Sequence, residues 1–321
     1  MLKMAIITGF LSETRDRFHE YNTPLSLDEK FALMTTINGY NGVEIVYPYE
    51  VKDPVATRNC LDKYGLKVAA VNVNIKAESE FRSGGLTSHL PEVRDKAVQF
   101  IKEAKDFAKA IGANKVTCCP LGDGYEFAFQ YDYAQTWKYL VETFGTAAEY
   151  KSDIPLFVEY KSNETRGRCF VDTASKTLCL LNDIGNANMG ITLDFGHAMY
   201  GNENPAEVLV MLAESPFPYY IHINDNDGHW DWEYFCGTKH FLEYVEFIYY
   251  LKRYGYDDYI TSATSPTRWD IKHTFETNSR MTNRIWQLLD RVDNGQLAKL
   301  ISKADYLKTW QFIESNFLGL K

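Results

Sequence analysis

Three residues of metal-binding types, Glu159, Asp194 and His222, each lie at the end of a short run of apolar, β-branched or aromatic residues. Neighbouring parallel strands carry such end residues to one face of a sheet or barrel. Two carboxylate oxygens and an imidazole nitrogen are suitable ligands for a divalent cation such as Mn²⁺, Mg²⁺ or Co²⁺. The pattern therefore predicts that the three side chains converge on one cation, with metal–ligand distances of roughly 2.0–2.3 Å. A buried network of ion pairs without a metal is the alternative.

Two further polar residues lie close to these strand ends. His197 comes three residues after Asp194, in the turn that leaves the strand, and Lys161 comes two residues after Glu159. Both are expected to act in catalysis, facing the same pocket and contacting substrate oxygens. For Lys161, an ion pair with Glu164 or Asp194 is the alternative.

The segment that follows the seventh apolar run combines acids, amides and aromatic residues within Asn224–Phe235. Aromatic faces and amide hydrogen-bonding groups suit a sugar ring or an aryl glycoside. Asn224, Asp225, Trp230 and Trp232 are therefore predicted to bind substrate. The alternative is a solvated loop whose two tryptophans pack on the rim of the fold.

Runs typical of buried strands alternate with segments of helical period along the chain. The predicted strands are Lys3–Gly9, Gly42–Tyr47, Lys67–Ile75, Lys115–Cys119, Ile154–Tyr160, Gly190–Asp194, Tyr219–Ile223 and Asp258–Ser262. The predicted helices are Ser26–Ile37, Val55–Tyr64, Pro91–Ile111, Tyr133–Tyr150, Ala174–Asn182, Asn204–Leu212 and Phe241–Tyr254. Such alternation predicts an α/β protein with parallel strands, and a (β/α)8 TIM barrel is the most economical arrangement. A doubly wound open sheet is the alternative, but the glycine-rich phosphate loop that often opens one is missing.

The C-terminal part of the chain indicates additional helices. From Phe275 onward, the pattern predicts two helices broken near Asp293–Gly295. No linker rich in Pro, Gly or Ser divides the sequence, so residues 1–321 are predicted to form one domain, with 275–321 as a helical extension.

Composition excludes several classes of protein. The 321 residues include 34 basic and 43 acidic ones, a net charge of −9, without the clustered Lys and Arg that a nucleic-acid surface needs. No apolar run approaches the roughly 20 residues that span a bilayer, and the N-terminus does not resemble a signal peptide. The six cysteines are expected to be reduced thiols. These features predict a cytoplasmic protein with neither nucleic acid nor membrane as partner.

Three motifs resemble those of a known family. The stretches Phe-Val-Glu159-Tyr-Lys, Leu-Asp194-Phe-Gly-His and Ile-His222-Ile-Asn-Asp are similar to the metal-ligand segments of the xylose isomerase-like TIM barrels. That group includes sugar isomerases, ketose epimerases and endonuclease IV. The resemblance runs from the first strand to Pro266 and implies a sugar isomerase or epimerase, with Mn²⁺ as the first choice of metal. A metal-stabilised enediolate would form after Glu159, both ligand and possible base, removes a proton next to a carbonyl.

One position departs from the family pattern. The family places a further acid, ligand and second acid/base, near the end of the eighth strand, where this chain has Ala263. The chain is either a natural variant or a substituted form. We expect the chain to be poorly active, and Ala263→Asp or Ala263→Glu to raise metal occupancy and activity. If the acid lies elsewhere, Asp270 and Asp225 are the next candidates.

Two other functions compete with the isomerase or epimerase. The resemblance also extends to lyase subunits that cleave C-glycosides from 3-keto sugars and work with a small β-rich partner subunit. A non-catalytic sugar-binding protein is the third hypothesis, because of Ala263. Endonuclease activity ranks last, since the chain is acidic. The expected ligand is a small sugar or glycoside, and a homo-oligomer is possible.

Overall fold

Eight parallel strands close into a barrel in the computed structural model, which describes residues 2–320. The strands are β1 (Met4–Ile7), β2 (Gly42–Tyr47), β3 (Lys67–Val73), β4 (Val116–Cys118), β5 (Leu156–Glu159), β6 (Met189–Asp194), β7 (Tyr219–Ile223) and β8 (Ile260–Ser262). Each pairs in parallel with its neighbours in chain order, and β8 closes the barrel against β1. The predicted (β/α)8 TIM barrel is therefore confirmed, and the open sheet is excluded.

Helices surround the barrel. They are α1 (Leu27–Met34), α2 (Pro54–Tyr64), α3 (Pro91–Ile111), α4 (Tyr133–Glu149), α5 (Ala174–Ile184), α6 (Phe195–Tyr200), α7 (Pro205–Ala213), α8 (Phe241–Arg253), α9 (Ile271–Arg291), α10 (Asn294–Ser302) and α11 (Tyr306–Asn316). Local sequence explains their ends. The Asp53 carboxylate caps the first turn of α2 by accepting from the N–H groups of Val55 and Ala56, and α3 ends at Gly112 with φ of 80°.

Up to residue 320, the C-terminal part contains three helices, not the two that the sequence pattern predicts. Helix α9 begins at Ile271, before the expected start, and packs against α8 as part of the helical layer. The break near Asp293 is present, because the Asp293 carboxylate accepts from the N–H of Gln296 and starts α10. A second break separates α10 from α11, where Ala304 has a left-handed φ of 52°. The pattern missed it because apolar spacing alone does not reveal a turn of so few residues.

The pairing register of the strands sets how far along the barrel axis the site residues lie. Asp194 on β6 pairs with His222 on β7, and Thr192 on β6 pairs with Glu159 on β5. All these residues lie in the C-terminal halves of their strands, where barrels of this type carry their active sites. Within residues 2–320, no helix combines the length and apolar character required to cross a membrane.

Candidate metal and substrate site

The three predicted ligands lie together at the C-terminal end of the barrel. One potential ligand atom from each of Glu159, Asp194 and His222 lies within 4.8 Å of the other two. All three residues are buried, with relative exposures of 5%, 1% and 0%. Their convergence follows from the order and register of β5, β6 and β7.

His222 is held between two carboxylates. Its Nδ1 lies 3.3 Å from Glu159 Oε1, and its Nε2 lies 2.9 Å from Glu44 Oε2. Burial lowers the pKa of His222, but Glu44 and Glu159 outweigh this and raise the pKa well above its ordinary value. Glu44 is fully buried on β2 and also accepts hydrogen bonds from Asn72 Nδ2 at 3.0 Å and Thr117 Oγ1 at 2.8 Å. The sequence reasoning missed Glu44; a single acid inside an apolar strand was the available signal.

Asn224 positions Asp194 instead of facing the cavity as a predicted substrate ligand. Its Nδ2 donates to both carboxylate oxygens of Asp194, at 2.9 Å and 2.8 Å. The backbone N–H of His197 donates to Asp194 Oδ1 at 3.0 Å. Gly196 allows this packing, since a Cβ there would lie 1.8 Å from Asn224 Oδ1.

His197 lines the cavity, and both of its ring nitrogens have acceptors. Nδ1 lies 3.0 Å from the Tyr160 carbonyl oxygen, and Nε2 lies 3.2 Å from Asp231 Oδ2. Since both partners accept, the ring donates from both nitrogens, as an imidazolium does. Burial lowers the pKa of His197, but the carboxylates of Asp194 and Asp231 outweigh it and raise the pKa to about 9.

Lys161 also lines the cavity, and its ammonium group makes two ionic contacts. Its Nζ lies 2.9 Å from Glu164 Oε2 and 2.9 Å from Asp231 Oδ2. The alternative ion pair with Glu164 is therefore present, but the second partner is Asp231 and not Asp194. Asp231, in the loop after β7, links Lys161 to His197. In the sequence, it was one acid among several in a polar segment.

Asp225 does not reach the cavity, contrary to its prediction as a substrate ligand. Its Oδ2 accepts from the N–H groups of Lys239 and His240, at 2.8 Å and 3.1 Å. Its Oδ1 accepts from the N–H of Asn226 and lies 2.8 Å from His240 Nδ1. The Asp225 carboxylate therefore holds the loop against the start of α8.

Trp230 and Trp232 lie on the rim and outside the lining of the cavity. They are 48% and 40% exposed. Trp232 stacks parallel to Tyr234, with ring centroids 6.3 Å apart. This arrangement corresponds to the alternative of a solvated loop with its tryptophans packed on the rim.

A cavity of about 240 Å³ opens beside the buried cluster. The polar and site-related residues that line it include Asn72, Lys76, Glu159, Lys161, Asp194, His197, Glu233 and Ala263. Ala263 follows β8, with its N–H donating to the Ile223 carbonyl oxygen at 3.0 Å. Asp270, a candidate for the missing acid, instead caps α9 and accepts from the N–H of His273. Glu233, which the sequence reasoning did not select, is the additional carboxylate in this lining.

The chemistry of the buried cluster fits a divalent cation. Two ligands at roughly 2.3 Å from one ion are at most about 4.6 Å apart, close to the 4.8 Å limit that these atoms satisfy. Burial and Glu159 both raise the pKa of Asp194, a cost that a cation would offset. A second possible group joins Cys119 to Glu159 and His197. It fits less well, because burial raises the pKa of the Cys119 thiol and both His197 nitrogens are engaged.

Most of the chain matches a known family. Residues 34–284 match the xylose isomerase-like TIM barrel. The chain belongs to this family. The matched range contains β2 to β8 and every residue of the cluster, so the family assignment and the site rest on the same part of the barrel.

One curated relative is similar in sequence, and several solved structures are similar in fold. A xylose isomerase from Thermus thermophilus is 25% identical over 185 residues, which are 56% of this chain and 48% of that protein. The match thus spans about half the length of that relative. A D-tagatose 3-epimerase-like protein has a similar fold, with a TM-score of 0.71, 21% identity, and coverage of 89% of this chain and 98% of its own. A 3-keto-D-glucoside 4-epimerase from E. coli has a TM-score of 0.69 and 14% identity, covering 88% and 100% of the two chains.

Proposed function

We propose that this member of the xylose isomerase-like family is a divalent-metal-dependent sugar isomerase or epimerase. The observation that carries the proposal is the buried cluster of Glu159, Asp194 and His222 beside the cavity. Family membership supports a carbohydrate substrate. The cavity volume of about 240 Å³ lies just below the usual range of ligand pockets, which favours a small sugar over a bulky glycoside.

Glu159, Asp194 and His222 would hold the cation, with Mn²⁺ as first choice and Mg²⁺ or Co²⁺ as alternatives. When bound, the cation would supply positive charge that polarises a substrate carbonyl and makes the neighbouring carbon more acidic. Neutral imidazole is the form of histidine that binds metals, so Glu44 would accept the remaining N–H of His222.

The side chains around the cavity would handle the substrate. The Glu159 carboxylate would take the proton from the carbon next to the carbonyl. The His197 imidazolium and the Lys161 ammonium, both lining the cavity, would donate hydrogen bonds to substrate oxygens. The Asp231 carboxylate contacts both the His197 ring and the Lys161 ammonium, and it would keep these two side chains in place.

Sugar conversion with defined metal content tests the proposal. The purified chain is treated with EDTA, then supplied with Mn²⁺, Mg²⁺ or Co²⁺, and incubated with D-xylose, D-fructose, D-tagatose, D-allulose or L-ribulose. We expect interconversion of at least one sugar that depends on added metal and disappears in Asp194→Asn. The result that contradicts the proposal is an absence of both metal binding and sugar conversion.

One observation favours a second candidate, the lyase acting on 3-keto C-glycosides. An aromatic cluster of Trp230, Trp232, Tyr234 and Trp269 lies on the rim, where it could contact an aryl aglycone. Incubation with a 3-keto aryl C-glycoside would then release the free aglycone, alone or with a small β-rich subunit. Binding of sugars without any turnover would instead support the third hypothesis, a sugar-binding variant.

A further inference from the structure

We infer that Glu233 is the second acid/base of the reaction, supplied from the loop after β7 in place of the acid absent at position 263. The inference rests on the proposed function and deepens it, because a second acid/base distinct from Glu159 is what an epimerase needs to invert a carbon. Its role is proton transfer and not metal binding. Neither potential ligand group found within residues 2–320 includes Glu233.

Glu233 lies close to the chain segment that carries Ala263. It lines the same cavity as Ala263, Glu159 and Asp194. Its carbonyl oxygen accepts a hydrogen bond from the N–H of Ser265 at 2.8 Å, two residues after Ala263. The backbone of Glu233 is therefore attached to the exit of β8, three strands around the barrel from the β5 strand that carries Glu159.

The loop around Glu233 is held on both sides. On the N-terminal side, Asp231 is buried against Lys161 and His197. On the C-terminal side, Tyr234 exchanges backbone hydrogen bonds with Asp225, at 2.8 Å and 2.7 Å. Glu233 itself has a left-handed φ of 52°, which is unfavourable for a residue with a side chain. The contacts of Asp231 and Tyr234 therefore hold Glu233 in this conformation at the wall of the cavity.

The surroundings of Glu233 suit a group that donates a proton. Burial, together with the charge of Asp231, raises the pKa of the Glu233 carboxyl well above its ordinary value. A carboxyl group with a raised pKa keeps its proton to a higher pH than an ordinary glutamate does. A protonated carboxylic acid that lines the cavity is the group that a reprotonation step requires.

The proposed reaction balances without any co-reactant. The Glu159 carboxylate breaks the C–H bond next to the substrate carbonyl and takes the proton, and the electron pair moves into the carbonyl to give an enediolate. The Glu233 carboxylic acid then gives its proton to the opposite face of the same carbon, which restores the carbonyl with inverted configuration. Exchange with water returns both groups to their starting forms.

The test compares inversion with proton exchange in Glu233→Gln. The metal-loaded wild type and variant are incubated in D2O with whichever ketose the wild type converts, and NMR follows both the inverted sugar and deuterium at the reacting carbon. We expect Glu233→Gln to slow inversion by about 10²-fold or more. It should still incorporate deuterium with retention, because Glu159 can remove and return a proton on its own face. Glu243→Gln, an exposed position on α8 with the same change of charge, is the matched control.

Mn²⁺ titration by calorimetry supplies a readout apart from activity. Glu233→Gln should bind Mn²⁺ as the wild type does, whereas Asp194→Asn should lose binding by about tenfold or more. Inversion at the wild-type rate, a comparable loss of Mn²⁺ affinity, or loss of deuterium exchange together with inversion would each overturn the role of Glu233. If the wild type neither inverts nor exchanges any of the sugars, the proposed function itself fails, and this role fails with it.

Discussion

Asn224 Nδ2 donates to both carboxylate oxygens of Asp194, at 2.9 Å and 2.8 Å, although 30 residues separate them in the chain. Asp194 ends β6 and Asn224 directly follows the neighbouring β7, and the amide fixes the plane of the carboxylate. Asp194 thus enters the buried cluster with Glu159 and His222 in one orientation. A carboxylate oriented in this way requires less rearrangement to bind an ion.

Gly196→Ala is predicted to disturb this pair. A Cβ at Gly196 would lie 1.8 Å from Asn224 Oδ1, so the Asn224 side chain must move away from Asp194. We expect Mn²⁺ affinity to fall by about 10–100-fold, measured by calorimetry. Gly145→Ala on α4, where an added Cβ meets only Ile184 at 3.7 Å, is the control and should keep full affinity. Unchanged Mn²⁺ binding in Gly196→Ala would separate Asn224 from the metal site.

Glu44→Gln is predicted to change the tautomer of His222. The glutamine amide would donate to His222 Nε2, so the ring proton would move to Nδ1, the nitrogen that lies 3.3 Å from Glu159. A protonated Nδ1 cannot bind a metal, and we expect Mn²⁺ affinity to fall by about 10–100-fold. ¹⁵N NMR of the histidine ring reports the tautomer directly. An Nε2–H tautomer in the variant, with wild-type affinity, would contradict this prediction.

Ala263→Asp is predicted to increase metal affinity and to supply a second catalytic acid. The new carboxylate would face the cavity and add a third anionic ligand, so we expect Mn²⁺ to bind about tenfold more tightly. In the Glu233→Gln background, it should also restore part of the lost inversion, because an acid would return to the same side of the cavity. Calorimetry and sugar conversion measure the two effects. Tighter Mn²⁺ binding without any recovery of inversion would mean that the two positions are not equivalent.

Glu126→Gln is predicted to change the pH dependence of stability. The Arg166 guanidinium, bonded to both Glu126 oxygens, lowers the pKa of that carboxyl from its ordinary 4.5 to about 2. A lowered pKa contributes stability that is present above pH 4.5 and lost as the pH falls toward 2. Because the Glu126 side chain is 46% exposed, we expect less than about 1 kcal/mol.

Thermal unfolding of wild type and Glu126→Gln across this pH range measures the effect. The two melting temperatures should differ at pH 7 and approach each other as the solution is acidified. Glu243→Gln serves again as control for the loss of one exposed carboxylate. A difference between wild type and Glu126→Gln that stays constant with pH would assign the contribution to packing instead of charge.

Local sequence was sufficient to predict most of the barrel. Alternating apolar and helical patterns depend on neighbouring residues, so the eight strands could be located within a few positions. Helix caps act over the same short range, as Asp293 does at the start of α10. Such patterns could not reveal the additional break at Ala304, because a single left-handed residue leaves the apolar spacing almost unchanged.

The sequence by itself determined the barrel and the end positions of Glu159, Asp194 and His222, since strand order follows chain order in this fold. Only the tertiary structure decided which other polar groups meet them. Glu44 contacts His222 across the barrel, 178 residues away along the chain, and no local pattern reports a contact of that kind. In the loop after β7, the sequence likewise did not distinguish the roles of the several acids. The folded path of this loop brings Glu233 to the cavity, where the Glu233 carbonyl oxygen accepts from the N–H of Ser265, just after β8. The Asp225 carboxylate is turned away, because it accepts from the N–H of Lys239, just before α8.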